Sequence, residues 1–321
     1  MVDALSQTKD LKNRILFTII ILSIYRLGTF IPIPGIDPQS LQELMSSNQR
    51  GLLGMFNVFA GGAIARMALF ALGIMPYISS SIIVQLLTGV SDYFKNLKNQ
   101  GEIGRKKITQ ITRYGTVLLA TIQGYGLSVG LESAENLVIN PGMFFRISTV
   151  ITIVASTMFL MWLGEQITQR GIGNGISLII FVGIIAQFPI AVQNEIEAVI
   201  NGLRSGLFEI VIVAIWVLII ASVVLLTQGQ RRITVQYPRR VVGRKVYGGQ
   251  STHLPLKVNA AGVMPIIFAQ SIMFVPGTVS SFFPEIAVFQ TLTEWFQPGA
   301  LVYNALYGLL IVFFTYFYTF N

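Results

Sequence analysis

The sequence has 321 residues, of which 53% are hydrophobic and 11% charged, and its mean hydropathy is +0.67. A soluble domain carries about twice that share of charged residues, so the composition predicts a polytopic membrane protein. The absence of cysteine excludes disulfides, Cys-ligated zinc and iron–sulfur clusters, and the single histidine, His253, leaves little imidazole for catalysis. The net charge of +8 must be divided between the two sides of a bilayer before it indicates a partner.

Eight apolar runs are long enough to be membrane spans, since one helix needs about 20 apolar residues to cross a bilayer. The first run is too long for the apolar part of a signal peptide, so we predict that it is retained as a span. The last run ends without flanking charge, which predicts a fragment cut near the end of its eighth helix. The runs cover residues 14–33, 69–90, 112–131, 144–167, 175–192, 208–227, 258–282 and 300–321.

The positive charges lie mostly on one side of this arrangement. Seventeen of the 22 Lys and Arg residues do so, including six in residues 91–113 and seven, with no acid, in residues 228–257. Cations mark cytoplasmic loops, so both segments and both chain ends are predicted to be cytoplasmic. The basic loop 228–257 could dock on ribosomal RNA or an acidic protein, although topology alone also explains its charge.

Residues 51–90 fit neither one span nor two. Gly61, Gly62 and Arg66 interrupt a weakly apolar first part, which predicts a short half-helix over residues 52–72 followed by a full span. A half-inserted segment is stable at membrane depth only where it packs in protein or faces a water-filled cavity, because its backbone groups would otherwise be unpaired in lipid. The segment therefore predicts a cavity.

The pattern Gly-x-Met-Pro occurs at residues 73–76 and again at 262–265. The charge argument makes these two helices run in opposite directions, with five spans between equivalent points. This predicts an all-α inverted repeat of a five-helix unit, with residues 1–200 as the first half and 201–321 as an incomplete second half. In such folds paired Gly/Pro-interrupted helices mark the working site near the bilayer midplane. The alternative is coincidence, since Gly and Pro are frequent in membrane helices.

Short catalytic motifs are not supported by their context. The sequence has no G-x-x-x-x-G-K-[ST] phosphate loop, so it hydrolyses no nucleotide by that route. A G-x-S-x-G pattern at residues 126–130 would need a histidine base, but His253 lies in a cytoplasmic loop, which argues against an intramembrane protease. The glycine-rich run 171–175 is predicted to be a tight turn in which Asn174 caps the next helix.

Charged residues within the predicted spans are scarce. Glu165 lies at a helix end, and Arg26 is close enough to the external interface to extend towards it. Ion-coupled transporters usually place acids or histidine within their helices, so this scarcity weakens that class. A transporter stays open as an alternative, because a further part of the chain could carry the carboxylate.

Branched apolar residues recur four positions apart on three predicted spans. Residues at i and i+4 share one helix face, so each pair presents two side chains in one direction. If the three helices meet, these residues form a ring that excludes water and still yields when something enters. Any single pair could instead face lipid or core. The pairs are Ile74 with Ile78, Ile176 with Ile180, and Val263 with Ile267.

Polar residues on the second, third and seventh spans could form hydrogen bonds between helices. Such bonds average well under ~1 kcal/mol in membranes, so a seam that they hold can open. Ordinary helix packing is the alternative. The residues are Ser79, Ser80, Ser81, Gln85, Gln123, Gln270 and Ser271.

Six longer blocks resemble the SecY family, the channel subunits of the bacterial Sec protein-conducting translocon. The similarity runs over all 321 residues, and together the blocks are far more specific than any short motif. The blocks are FIPIPGID (30–37), MFNVFAGGA (55–63), ALGIMPYIS (71–79), FLMWLGEQIT (159–168), RGIGNGIS (170–177) and QSTHLPLKVN (250–259).

The resemblance implies a passive conduit for unfolded secretory proteins that also releases transmembrane segments into lipid, without a cofactor or an enzymatic step. Segment 52–72 would be a plug, and its residues would include Met55, Phe56, Phe59, Gly61, Gly62 and Arg66. The pore ring would comprise Ile74, Ile78, Ile176, Ile180 and Ile267. A lateral gate between the second and third spans and the seventh and eighth would include Ser79, Gln85, Gln123, Gln270 and Ser271.

The resemblance also implies partners: SecE and SecG subunits, the SecA motor ATPase, the ribosome, signal sequences, nascent polypeptides and membrane lipids, at the inner membrane of a bacterium. Family members have ten spans, so the ninth, the tenth and the last ring position are expected to be missing. The alternative function is an inverted-repeat secondary transporter of a small solute. Residues implied to contact SecA or the ribosome are Arg231, Arg232, Arg239, Arg240, Arg244, Lys245, Lys106 and Lys107.

Overall fold

The structure is a computed structural model that describes residues 2–37, 40–41, 57, 60–132, 137–236, 240–242, 245–247, 251–282, 295 and 299–320. Within these residues helices dominate, and a short stretch of strands interrupts them. The helices are α1 (Val2–Gly28), α2 (Met75–Val90), α3 (Asp92–Asn99), α4 (Glu102–Glu132), α5 (Met143–Arg170), α6 (Gly175–Ile185), α7 (Phe188–Ile200), α8 (Gly206–Gln228), α9 (Met264–Phe282) and α10 (Leu301–Phe320). The strands are β1 (Gln230–Gln236), β2 (Arg240–Val242), β3 (Lys245–Tyr247) and β4 (Ser251–Lys257).

Each predicted span corresponds to at least one helix, which confirms a multi-pass membrane protein. Among the described residues, α5, the pair α6 and α7, α8 and α10 are long and apolar enough to cross a bilayer. The predicted full span over residues 69–90 is wrong in length, since α2 has 16 residues and begins at Met75. Pro76 stands in the first turn of α2, where its missing N–H costs no helical hydrogen bond.

The fifth predicted span is broken into α6 and α7. Pro189 lacks an N–H donor, and its ring would clash with the carbonyl of Ile185, so one continuous helix is disfavoured. At the other end of α6, the Asn174 side chain accepts hydrogen bonds from the N–H groups of Ile176 and Ser177, at 3.1 and 3.3 Å. The predicted cap at Asn174 is therefore confirmed.

The chain forms two compact units, one of residues 1–192 and 267–311 and the other of residues 193–266 and 312–321. In the first unit, α4 packs on α2 and α5, and α5 also packs on α1 and α6. Two clusters of buried apolar side chains stabilise this unit, one around Met67 and Ile153 and one around Phe70 and Leu160. The division into halves at residue 200 stays a prediction.

The second unit contains α8 and the strands. Strand β1 pairs antiparallel with β4, from Gln230 opposite Lys257 to Gln236 opposite Ser251, and β2 pairs with β3. The basic loop 228–257 therefore adds two short β-hairpins to the predicted helical fold. Ile233, Thr234 and Val235 explain the difference, because three consecutive β-branched residues favour a strand.

Candidate functional site

The stretch between α1 and α2 re-enters the fold as a buried run of turns. We call residues 60–74 the re-entrant segment; within it Ala63 and Ala68 are fully buried. The predicted half-helix 52–72 is wrong over residues 60–72, because Gly61 and Gly62 have φ angles of +65° and +84°, which a right-handed helix excludes. The predicted plug residues Met55, Phe56 and Phe59 lie outside the described residues.

The C-terminal part of this segment is held by backbone hydrogen bonds. Ile33 donates its N–H to the Met67 carbonyl at 2.8 Å, and Leu69 donates to the Ile31 carbonyl at 2.8 Å. These two bonds form an antiparallel bridge, with Pro32 opposite Ala68. The segment is thus attached to the chain that follows α1.

The N-terminal part is held by side chains and by a close backbone approach. Arg26 of α1 donates from Nη1 to the Gly61 carbonyl at 2.7 Å. A Cβ atom on Gly61 would lie 3.1 Å from the Cα of Gly183 in α6, so the two glycines allow the backbones to touch. The guanidinium carbons of Arg66 and Arg26 lie 4.1 and 4.9 Å from the ring centre of Phe30. Arg26 therefore points to the segment, and its predicted approach to the external interface stays a prediction.

A small apolar cavity lies between the re-entrant segment, α2, α6 and α9. Its volume is about 40 Å³, so it holds at most about three water molecules, and its lining is almost entirely apolar. Gln270 is the polar residue that lines it. The full lining comprises Ala60, Ile64, Ala71, Leu72, Gly73, Ile74, Met75, Ile78, Ile180, Ile267 and Gln270.

Four of the five predicted ring residues therefore meet, namely Ile74, Ile78, Ile180 and Ile267. The fifth, Ile176, is half-buried and faces α5. A Cβ atom added to Gly164 of α5 would lie 3.1 Å from the Ile176 Cγ1. Val263, paired with Ile267 in the sequence pattern, is 60% exposed. Both members of one predicted pair, Ile74 with Ile78, therefore line the cavity, whereas each of the other two pairs contributes one residue.

The polar seam residues differ in burial. Gln123, Gln270 and Ser271 are buried, whereas Ser79 is half-buried and Gln85 is exposed. Ser271 donates within its own helix to the Ile267 carbonyl at 2.8 Å.

A hydrogen bond from α2 to α4 comes from Ser80, one of the predicted residues, whose Oγ donates to the Thr112 carbonyl at 2.8 Å. Gly115 makes room for it, since a Cβ there would lie 2.4 Å from the Ser80 Oγ. Ser80 thus fixes α2 to α4, the helices of the second and third predicted spans.

Two acids near the spans, Glu165 and Glu132, pair with arginines. Arg113 of α4 forms a bidentate ion pair with Glu165 of α5, with Nη2–Oε distances of 2.6 and 2.8 Å. Arg146 pairs with Glu132 at 2.6 Å at the other end of the same helices. A coupling carboxylate has to bind and release its ion, so a bidentate arginine partner argues against that role for Glu165. Over the described residues, no group of three or more His, Asp or Glu side chains could hold a metal ion.

Exposed cations lie on the strands and at the start of α4. Arg231 and Arg232 on β1 are exposed, as are Lys106 and Lys107. Arg240 lies in β2 and Lys245 in β3, whereas Arg239 and Arg244 fall outside the described residues.

Sequence reasoning missed the residues that hold the re-entrant segment, namely Arg26, Phe30 and Gly183. A signal for Arg26 was present, because a cation inside an apolar span requires a partner or an interface. Gly183 gave no signal, since one glycine in a membrane helix is ordinary.

Apolar helices, four isoleucines around a small cavity and a re-entrant segment packed against them are the features of a membrane channel. Residues 68–321 match the SecY family. The chain belongs to the SecY family of protein translocase subunits.

Curated relatives carry the same family name along almost the whole chain. The protein translocase subunit SecY of Rickettsia bellii (strain RML369-C) is 50% identical over 317 residues, which are 97% of this chain and 73% of the relative. That of Escherichia coli (strain K12) is 50% identical over 319 residues, 97% of this chain and 71% of the relative. These names confirm a translocase channel subunit, not an enzyme, and give no support to the solute transporter.

Solved structures confirm the fold. A SecY structure whose plug domain is described as stabilising the closed state and maintaining a membrane seal aligns with a TM-score of 0.59 and 18% identity. The Sec61 channel of a canine ribosome–channel complex aligns with a TM-score of 0.56 and 17% identity. Each alignment covers 85% of this chain, but the chain spans only 58% and 59% of the two channels.

Proposed function

We propose that this chain forms the channel through which unfolded secretory proteins cross a bacterial inner membrane, and that transmembrane segments leave it sideways into lipid. One observation carries the proposal: Ile78, Ile180 and Ile267 on three helices, together with Ile74 at the end of the re-entrant segment, line a cavity of about 40 Å³. Such a constriction blocks ions without any charged gate, because water does not fill a narrow apolar passage.

In this proposal the isoleucine ring and the re-entrant segment close the channel in series. Branched aliphatic side chains change rotamer on a picosecond to nanosecond timescale when they are not packed, so the ring can widen around a passing chain. Gly61, Gly62 and Arg66 belong to the plug, which must leave the ring before a chain can enter. Ile176, one turn from Ile180, would join the ring when α6 moves.

The lateral gate would lie between α2 and α4 on one side and α9 and α10 on the other. Ser80 keeps the first side together, because its hydrogen bond to Thr112 joins α2 to α4. Ser79, Gln85, Gln123, Gln270 and Ser271 would line the parting surfaces. Few strong bonds across such a seam allow a signal sequence to separate the two sides.

We also propose cytoplasmic chain ends, as the distribution of Lys and Arg indicates, and assembly with SecE and SecG. The exposed Arg231 and Arg232 on β1, together with Lys106, Lys107 and the other cations of loop 228–257, would contact SecA or a translating ribosome. A hairpin presents these cations on a rigid support, which costs less entropy on binding than a flexible loop. The driving energy would come from that partner.

Site-specific crosslinking from position 78 tests the channel directly. A photoreactive residue in place of Ile78, in the full-length protein, is expected to crosslink to a secretory chain stalled during export, because a threaded chain has to pass the ring. The same residue at Ile83, which is 50% exposed, is the matched control and should crosslink weakly. Equal crosslinking from both positions would contradict the channel.

Charge reversal on β1 tests the partner contact. We expect Arg231→Glu with Arg232→Glu to weaken binding to SecA or to ribosomes, because two cations become anions on one exposed strand. For ribosomes the slope of log affinity against log salt should fall by about two, one for each lost phosphate contact. The control, Lys95→Glu with Lys98→Glu on α3, makes the same charge change on another cytoplasmic surface. Equal losses from both pairs would attribute the effect to net charge.

A further inference from the structure

The two parts of the re-entrant segment are held by contacts of different kinds. Residues 67–69 are fixed by two backbone hydrogen bonds to residues 31–33, which no side-chain rotation can break. Gly61 is held by the side chain of Arg26 and by contact with Gly183. A side-chain attachment can release while the backbone bridge stays intact.

Met67 lies between these two attachments in an unusual backbone conformation. Its φ is +41°, in the left-handed region that residues other than glycine rarely adopt. Among the described residues, Met67 is the only residue other than glycine with a positive φ. Such a conformation is strained and persists only when the surroundings impose it. Two backbone hydrogen bonds span this position, from the Met67 N–H to the Ile64 carbonyl at 2.9 Å and from the Ala68 N–H to the Ala63 carbonyl at 2.8 Å, so residues 60–66 turn at Met67 only when these two bonds break as well.

Arg26 and Arg66 play different parts although both contact Gly61. The Arg66 guanidinium bonds the carbonyls of Gly62 and Gly61 at 3.2 and 3.4 Å, and these contacts are local, so Arg66 moves with the segment. Arg26 belongs to α1 and reaches the segment across 35 positions of sequence. Arg66 also lies over Phe30, but that ring is 52% exposed, and an exposed cation–π contact is weak.

We infer that Arg26 is a positioning residue that holds residues 60–66 in the closed position through the Gly61 carbonyl, and that this part swings about Met67 when that bond and the two backbone bonds that span Met67 break. The inference rests on the proposed function only in calling this position closed. The contact between Arg26 and Gly61 does not depend on that function. Residues 60–66 are then the movable part of the segment, and the fixed part begins at Met67.

Thiol labelling of two single-cysteine variants tests the inference, because the chain contains no other cysteine. Ala63 and Ala68 are both fully buried, one on each side of Met67. In the full-length protein in membranes, Arg26→Gln is expected to raise the labelling rate of Ala63→Cys by an external maleimide about tenfold, since a charge-assisted hydrogen bond is lost. The labelling rate of Ala68→Cys should stay within about twofold, because the backbone bridge remains.

Two further variants complete the test. Arg14→Gln removes a charge from an exposed position on the same helix and should leave both labelling rates unchanged. Gly61→Ala approaches the contact from the other side, because its Cβ would crowd Arg26 Nη1 and Gly183, and it should also expose position 63. Unchanged labelling of position 63 in both Arg26→Gln and Gly61→Ala would overturn the inference, as would equal increases at positions 63 and 68.

Conductance of the same variants separates this inference from the proposed function. Faster labelling at position 63 with increased ion leak supports both the attachment and the role of the segment in closing a channel. Faster labelling without any leak supports the attachment and contradicts the segment's role as part of the seal.

Discussion

Replacing Ile78 or Ile180 with Asn is expected to make the resting full-length channel leak ions. Both side chains line the cavity of about 40 Å³ that α2, α6 and α9 form with the re-entrant segment. Asn is close to Ile in length but carries an amide that binds water. A polar group at the narrowest point of an apolar constriction offers entering water the partners that the isoleucines withhold.

The measurement is single-channel and macroscopic conductance in planar bilayers without a translocating chain. We expect Ile78→Asn to raise the open fraction of the resting channel at least about tenfold. This change corresponds to about 1.4 kcal/mol in the free-energy difference between the closed, dry state and the open state. Loss of apolar burial at one isoleucine alone is worth about 1.5–3 kcal/mol, so the effect is large enough to detect.

Matched controls lie five residues further along the same helices. Ile83 on α2 and Ile185 on α6 are 50% and 47% exposed, so they face away from the cavity. Ile83→Asn and Ile185→Asn make the same chemical change without reaching the constriction, and they should leave the conductance at its resting value. Equal conductance from Ile78→Asn and Ile83→Asn would count against the ring.

The helical part of the fold could be predicted because apolar length is a strong signal. Spans such as 144–167 and 208–227 became α5 (Met143–Arg170) and α8 (Gly206–Gln228), with bounds that differ by one to three residues. The hairpin β1–β4 was missed because its arginines were used only to place the loop on the cytoplasmic side of the membrane. The neighbouring Ile233, Thr234 and Val235 do favour a strand. Charge and strand propensity compete in that segment, and only the pairing with β4 decides between them.

The conformation of the re-entrant segment could not be predicted from the local sequence pattern. The glycines Gly61 and Gly62 correctly indicated an interruption of the apolar run, since residues 60–72 form turns and not a continuous helix. What the segment does instead depends on α1 and α6, through Arg26 and Gly183, and contacts between residues far apart in sequence leave no periodic trace. Ile176 illustrates the same limit, because Ile176 and Ile180 share a helix face but differ in depth.

These contacts connect closure to the helices that surround the segment. α6 contributes Ile180 to the cavity and Gly183 to the contact with Gly61, one turn apart on one helix. A movement of α6 that widens the ring would therefore also disturb the contact between Gly183 and Gly61. Proposed gating at the ring and release of the segment are thus mechanically coupled, and neither needs a chemical step.

Deleting residues 60–66 is expected to leave export possible and to loosen its dependence on a correct signal sequence. The deletion removes the part that Arg26 holds but leaves Met67 and Leu69, whose backbone bonds to Ile33 and Ile31 keep α2 attached to the chain after α1. Without the segment, opening no longer requires the free energy that a good signal sequence supplies. A defective signal should therefore suffice.

Export of a precursor with a defective signal sequence, measured by protease protection in membrane vesicles, should rise at least about tenfold, or about 1.4 kcal/mol in the opening equilibrium. Export of the normal precursor should change much less, since its signal already opens the channel. Deletion of residues 201–205, an exposed turn between α7 and α8, is the control and should preserve selectivity. If export of the normal precursor strictly required residues 60–66, the segment would be part of the conduit itself, because a barrier that only closes a passage can be removed without blocking it.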